Sequence, residues 1–261
     1  MESVEVVAER RGKTASSVTD SKRRSPSTRL TKVVVCSSTK GGTAKSTTTR
    51  CLASFATREG YRTAIIDLDR QRTVTAWWLR RPDSLPSITN YDDIPMREAG
   101  VAVREIAASG QYDIIFVDTA PSSADVESGA GIEDKTSPSL KALIRRANLV
   151  LIPTTDGGED VESVSKWAAE VHREGILAYF LLCIVDRTSA TLREAKQALI
   201  RKGSVSGTDL CAIEVRRNTK IKRSYNDGRG PADWSGPLGQ KAAEDYAAVW
   251  DFVKRKIELG D

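Results

Sequence analysis

The stretch that most constrains this chain is Lys40-Gly41-Gly42-Thr43-Ala44-Lys45-Ser46-Thr47. An apolar run, Val33–Cys36, precedes it, and a helical pattern from Thr48 to Arg58 follows. Strand, glycine-rich loop and helix, in that order, form the context of a phosphate-binding loop. Backbone N–H groups and the first helical turn converge there on an anion, with the helix dipole behind them. Lys45 then reaches the β- and γ-phosphates, and the Ser46 hydroxyl holds Mg²⁺. A glycine-rich turn without nucleotide is the alternative, and both context and spacing speak against it.

The loop opens with a second lysine, Lys40, in the pattern K-G-G-x-x-K-[ST]. This resembles the deviant Walker A motif of the ParA/MinD family. The resemblance implies a P-loop NTPase fold of the α/β class, with a mostly parallel twisted sheet and helices on both faces. It also implies ATP as ligand, Mg²⁺ as cofactor, and a nucleotide-dependent homodimer in which Lys40 reaches the partner's nucleotide. Gly41, Gly42, Thr43, Ala44, Ser46 and Thr47 would surround the phosphates beside the two lysines. Ala44 departs from the family, which usually has glycine there, and a methyl group restricts backbone that must approach phosphate.

The chain alternates strand and helix patterns from Thr31 onward, as a parallel sheet with helices on both faces requires. Arg62–Leu68 reads as a strand ending in Asp67-Leu68-Asp69, at the strand end where ligands sit in open α/β sheets. Asp69-Arg70-Gln71 is similar to the family's D-P-Q switch element, which makes Asp69 the residue that positions the attacking water. Arg70 replaces the proline, a second departure. Asp67 reads equally as a capping carboxylate. Tyr112–Asp118 is apolar through its middle, as a strand buried on both faces should be, and ends in an acid. It resembles a Walker B segment, so Asp118 would hold Mg²⁺ through water. Pro153–Asp160 stands in the place of the family's P-x-x-P-S-x-x-D segment. Asp160 matches the closing acid and is expected to cap the helix running to His172; Asp156 and Gly157 do not match. After Leu177–Val185, Asp186 and Arg187 occupy the family's base-recognition loop, where a surface salt bridge is an equal reading. Gly228–Pro237 is, by the same resemblance, a loop that closes over the nucleotide.

Charge locates possible partners. The formal net charge is +5, and residues 1–32 hold eight basic against four acidic side chains. The remainder is therefore nearly neutral, and polyanion binding by the folded part requires a local patch. Residues 1–30, rich in Ser, Arg and Lys, read as a disordered tail, with 31–261 as the ATPase domain. The tail is too short and polar for a helix-turn-helix reader. The densest cluster elsewhere is Arg216-Arg217-Asn218-Thr219-Lys220-Ile221-Lys222-Arg223, which contains no acid. Arg216, Arg217, Lys220, Lys222 and Arg223 could contact phosphates without reading bases. A solvated basic face is the plain alternative, and the family resemblance favours non-specific DNA.

Other features exclude classes. No apolar run approaches the roughly 18 residues of a membrane span, and Met1–Glu5 lacks the order of a signal peptide. The four cysteines form no C-x-x-C pair, which disfavours metal transfer and reads as buried thiols. His172 reads as a surface residue. Of adjacent Trp77 and Trp78, one is expected buried and the other at an interface. Ser122–Pro138 reads as a polar mobile loop, Ala190–Lys202 as a helix stopped by Gly203, and Leu238–Leu259 as a helix docked through an apolar stripe. The reading is a cytoplasmic, nucleoid-associated partition ATPase released from DNA by a centromere-binding, ParB-like adaptor. Positioning of a protein cargo and a MinD-like membrane helix are the alternatives.

Overall fold

The computed structural model describes residues 30–121 and 137–260. Residues 1–29 of the tail and the 122–136 portion of the polar loop therefore lie outside the described residues. Eight strands form the sheet: β1 (Lys32–Cys36), β2 (Thr63–Asp67), β3 (Thr89–Tyr91), β4 (Ile114–Asp118), β5 (Leu149–Thr154), β6 (Ala178–Val185), β7 (Asp209–Leu210) and β8 (Val215–Arg216). The spatial order is β3-β2-β4-β1-β5-β6-β7, with β8 also on β6, and every pairing is parallel.

Alternation along the strands divides the core in two. Ile115 and Val117 of β4 face one cluster; Ile114 and Phe116 face the other. The first cluster is covered by α3 (Ala99–Ala108), α4 (Pro138–Ile144), α5 (Gly158–Arg173) and α6 (Ala190–Ser206), through Val103, Leu143, Val164 and Leu199. The second is covered by α1 (Lys45–Arg58), α2 (Thr73–Trp78), α7 (Thr219–Arg223) and α8 (Pro237–Lys256), through Leu52, Trp77, Ile221 and Trp250. Strands buried on both faces explain the near-continuous apolar runs.

Several local expectations change. Gly203 does not stop α6; it lies inside the helix, where the close approach of the Thr208 carbonyl oxygen, 2.2 Å from where a Cβ would stand, requires glycine. The stop is Gly207, at φ 68°. The cap of α5 is Gly157 rather than Asp160, which lies in the first turn. The stripe of α8 docks as expected, with Tyr246, Val249, Trp250 and Val253 buried under the sheet. Among the described residues no helix is long and apolar enough to cross a membrane. All four cysteines are buried and free, and His172 is exposed.

Candidate nucleotide site and basic face

Parallel pairing brings three strand ends together. Cys36 of β1 and Asp67 of β2 are each in register with Asp118 of β4, so the loop leaving β1 stands over two carboxylates. This is the carboxyl edge of the sheet beside its central strand, where open α/β sheets bind ligands. The loop turns through two left-handed residues, Gly42 (φ 79°) and Ala44 (φ 77°), and α1 begins at Lys45. Gly42 accepts that conformation freely; Ala44 does not. The Ala44 carbonyl accepts from Thr48 N at 2.8 Å, closing the first turn of α1.

Lys45 is buried and donates from Nζ to the Lys40 carbonyl at 2.8 Å. Burial lowers its pKa, while Asp118 and Asp69 oppose that shift. Lys40 points elsewhere: its Nζ lies 3.1 Å from Glu159 Oε2 and 3.2 Å from Asp160 Oδ1 at the start of α5. Its hydrogen bonds to Glu159 and then to Asp160 raise its pKa. Thr39 and Ser163 share a hydroxyl hydrogen bond, so α5 holds the mouth of the loop at two points.

Asp118 is fully buried, its Oδ1 accepts from Thr49 Oγ1 at 3.5 Å, its Oδ2 has no hydrogen-bond partner among the described residues, and the Ser46 hydroxyl lies beside it. Burial, reinforced by Asp67 and Asp69, pushes its pKa up to about 8 against the lowering by Ser46 and Lys45. An orphaned carboxylate oxygen beside a hydroxyl is the hard-oxygen donor set that Mg²⁺ takes, the remaining positions being left to water and phosphate. The residues present therefore fit the ion. Asp67 is held by Thr75 of α2, which donates to Oδ2 from N (2.8 Å) and Oγ1 (2.9 Å). Asp67 Oδ1 accepts from Asp69 N at 3.2 Å, and Asp69 Oδ1 caps Gln71 N at 2.9 Å. A cavity of about 480 Å³ opens beside Asp69, walled by Leu68, Arg70, Asp92, Met96 and Ala120.

Residues far from the loop in sequence fall into separate groups. Asp186 is committed to its own turn, accepting from Thr188 N at 2.9 Å and Thr188 Oγ1 at 2.7 Å. Arg187 pairs with Asp245 of α8 (3.3 Å) and Glu214 (3.6 Å), the surface-bridge arrangement. The segment 228–237 packs on the body of α1: a Cβ on Gly230 would meet Ser54 Cβ at 2.2 Å. It is held there by Asp233, fully buried against Arg81 (2.7 Å). Contact with Ser54, nine residues along the helix from Lys45, replaces the expected closure over the nucleotide.

The basic cluster divides. Arg216 turns into the protein, giving three contacts to Asp245, from Nε to Oδ2 and Oδ1 (2.8 and 3.1 Å) and from Nη2 to Oδ1 (2.8 Å), and one to Glu244 from Nη2 (2.9 Å). Its charge is therefore neutralised locally. Arg217, Lys220, Lys222 and Arg223 are exposed and make no ion pair among the described residues. The helix α7 that presents three of them is capped by Asn218, whose Oδ1 accepts from Lys220 N and Ile221 N. It is fixed to α1 by buried Arg50, which donates to Ser224 Oγ and the Ile221 carbonyl, each at 2.7 Å. Sequence reasoning did not find Thr75, Arg50 or Glu159, since only the folded chain supplies their partners.

This fold and loop define a nucleotide-binding P-loop domain of the kind with a second lysine at the loop mouth. The model of the CobQ/CobB/MinD/ParA nucleotide binding domain matches residues 34–232, and the chain belongs to that family. No curated protein sequence matches it. Solved structures that share its fold include three of known ligand or cellular context. A Borrelia burgdorferi protein, provisionally described as a plasmid partition protein and bound to AMPPNP, has 14% identity over 86% of this chain and 99% of that one, with TM-score 0.62. The MinD cell division protein of Aquifex aeolicus has 18% identity over 84% and 97%, with TM-score 0.61. The ATP complex of a Cyanothece McdA variant has 15% identity over 89% and 98%, with TM-score 0.59.

Proposed function

We propose that this chain is an ATP-dependent partition ATPase that moves a plasmid or similar replicon over non-specific DNA. The observation that carries the reading is the combination of two surfaces on one domain. One is a phosphate loop with Lys40 at its mouth; the other is the exposed cationic face of Arg217, Lys220, Lys222 and Arg223.

Binding of ATP with Mg²⁺ would use Lys45, Ser46 and Asp118, with the ion neutralising phosphate charge. Asp69, which lines the cavity at the end of β2, orients water for attack on the γ-phosphate. Lys40 leaves Glu159 and Asp160 to meet the partner's nucleotide, so two protomers close around two ATP molecules. The pair doubles the cationic face, and contacts of this type grip the backbone without selecting sequence. Hydrolysis removes the γ-phosphate that favours the closed state, and the dimer releases DNA. A ParB-like adaptor bound to the cargo would stimulate that step. The solved neighbour described for plasmid partition supports a replicon as the load.

The test is DNA co-sedimentation with ADP, ATP and a non-hydrolysable analogue, for wild type and Lys40→Ala. ATP-dependent binding that is lost in Lys40→Ala is expected. Nucleotide-independent binding that survives both Lys40→Ala and removal of residues 1–30 would overturn the dimer switch.

A further inference from the structure

The cationic surface extends beyond α7. Arg80, just past the end of α2, is exposed, forms no ion pair among the described residues, and stacks over Tyr225 with its guanidinium carbon 5.1 Å from the ring centroid. Tyr225 lies two residues beyond Arg223. Arg80 is also steadied by donation from Nη1 to the Ala76 carbonyl. An exposed arginine held over a ring is partly pre-organised, so it gives up less side-chain freedom on meeting a phosphate.

The two elements are joined rather than merely adjacent. Gly228 approaches the backbone of Arg80 and Arg81 so closely that a Cβ would fall 2.3 Å from it. Trp77 Nε1 donates to the Arg229 carbonyl at 3.0 Å. The Arg81–Asp233 pair is nearly inaccessible, and Asp233 Oδ2 accepts from Gly230 N at 2.8 Å. At its other end α2 is tied to Asp67 through both hydrogen bonds of Thr75. One short helix therefore links a site carboxylate, two residues from Asp69, to the cationic face.

We propose that α2 and α7 form one composite DNA-backbone face, in which Arg80 contacts phosphate and Thr75 and Trp77 are positioning residues that make the face answer to nucleotide. The proposal deepens the DNA reading above and rests on it. A nucleotide can shift such a face only if it contacts the element differently in two states. On that reading, a γ-phosphate met by Asp69 would supply the difference, since Asp69 N donates to the same Asp67 that Thr75 holds.

The test measures duplex DNA affinity at saturating ATP analogue and at saturating ADP, over a salt series. For Arg80→Ala the expected result is weaker binding in both states and a salt slope lower by about one. For Thr75→Val the expected result is retained ADP-state affinity, with the ATP-to-ADP affinity ratio collapsing to within about twofold of unity. Trp77→Phe keeps an aromatic ring under the Arg81 guanidinium, removes the Arg229 bond, and reports the same ratio should Thr75→Val fold poorly. Wild-type DNA binding with Arg80→Ala unchanged in affinity and slope, or with the ratio intact in Thr75→Val and Trp77→Phe, overturns the composite face and leaves the DNA reading standing. Absence of wild-type DNA binding in every nucleotide state overturns both.

Discussion

Ala44 holds φ 77°, ψ 21°, a left-handed conformation that costs an L-residue with a Cβ about 1–2 kcal/mol. Ala44 packs against the second cluster, beneath α1 and α8, which returns some of that cost. Ala44→Gly is expected to raise the melting temperature by about 2–4 °C, as about 1 kcal/mol does in a domain of this size. It should also speed ATP turnover, because the loop backbone can then follow the phosphates without strain. Thermal unfolding and steady-state hydrolysis check the two halves separately. An unchanged or slower rate would show that the loop is already fit for hydrolysis. The positions of the loop lysines and Ser46 were legible from sequence because strand, loop and helix are contiguous, and that of Asp118 because it ends an apolar strand. The cis pairing of Lys40 with Glu159 was not, since those residues are 119 positions apart and meet only through the fold.

At the scale of elements, β8 and α7 divide one basic run into two kinds of residue. Arg216 ends a strand whose neighbour in space is α8, and Asp245 of that helix takes its guanidinium at 2.8 Å. Arg217, the next residue, faces outward. Arg216→Ala is therefore expected to lower stability by about 1 kcal/mol, the upper end for a partly exposed pair, with DNA affinity unchanged. Arg217→Ala should leave stability alone and weaken DNA binding, most at low salt. Paired thermal melts and DNA titrations separate these outcomes; a large affinity loss in Arg216→Ala would return that residue to the face. The same division explains why sequence reasoning grouped all five cations. A run without acids carries no local sign of which side chain finds a partner 29 residues away.

For the whole molecule, α8 decides between a structural role and a detachable one. Tyr246, Val249, Trp250 and Val253 are buried beneath the sheet, Trp250 against Tyr61 and Phe116. Burying such side chains stabilises by about 1.5–3 kcal/mol each. Four of them rival the net stability of a domain, about 5–15 kcal/mol. Truncation before Pro237 should therefore yield a chain that aggregates or lacks a cooperative melt. A folded truncated domain that had lost only liposome recruitment would support the membrane-helix alternative instead.

The linear chain by itself determined the α/β class, the phosphate loop, and the acids at the ends of β2 and β4. These depend on periodicity and on motifs within a few residues, where local sterics and hydrogen bonding suffice. Only the tertiary structure decided where long side chains spend their charge. Lys40 turns to α5, Arg187 and Arg216 to α8, and Arg50 to α7. The reason is electrostatic and geometric: a buried or half-buried charge takes whichever counter-group packing brings within hydrogen-bond distance. Parallel crossovers bring together groups that the sequence keeps far apart.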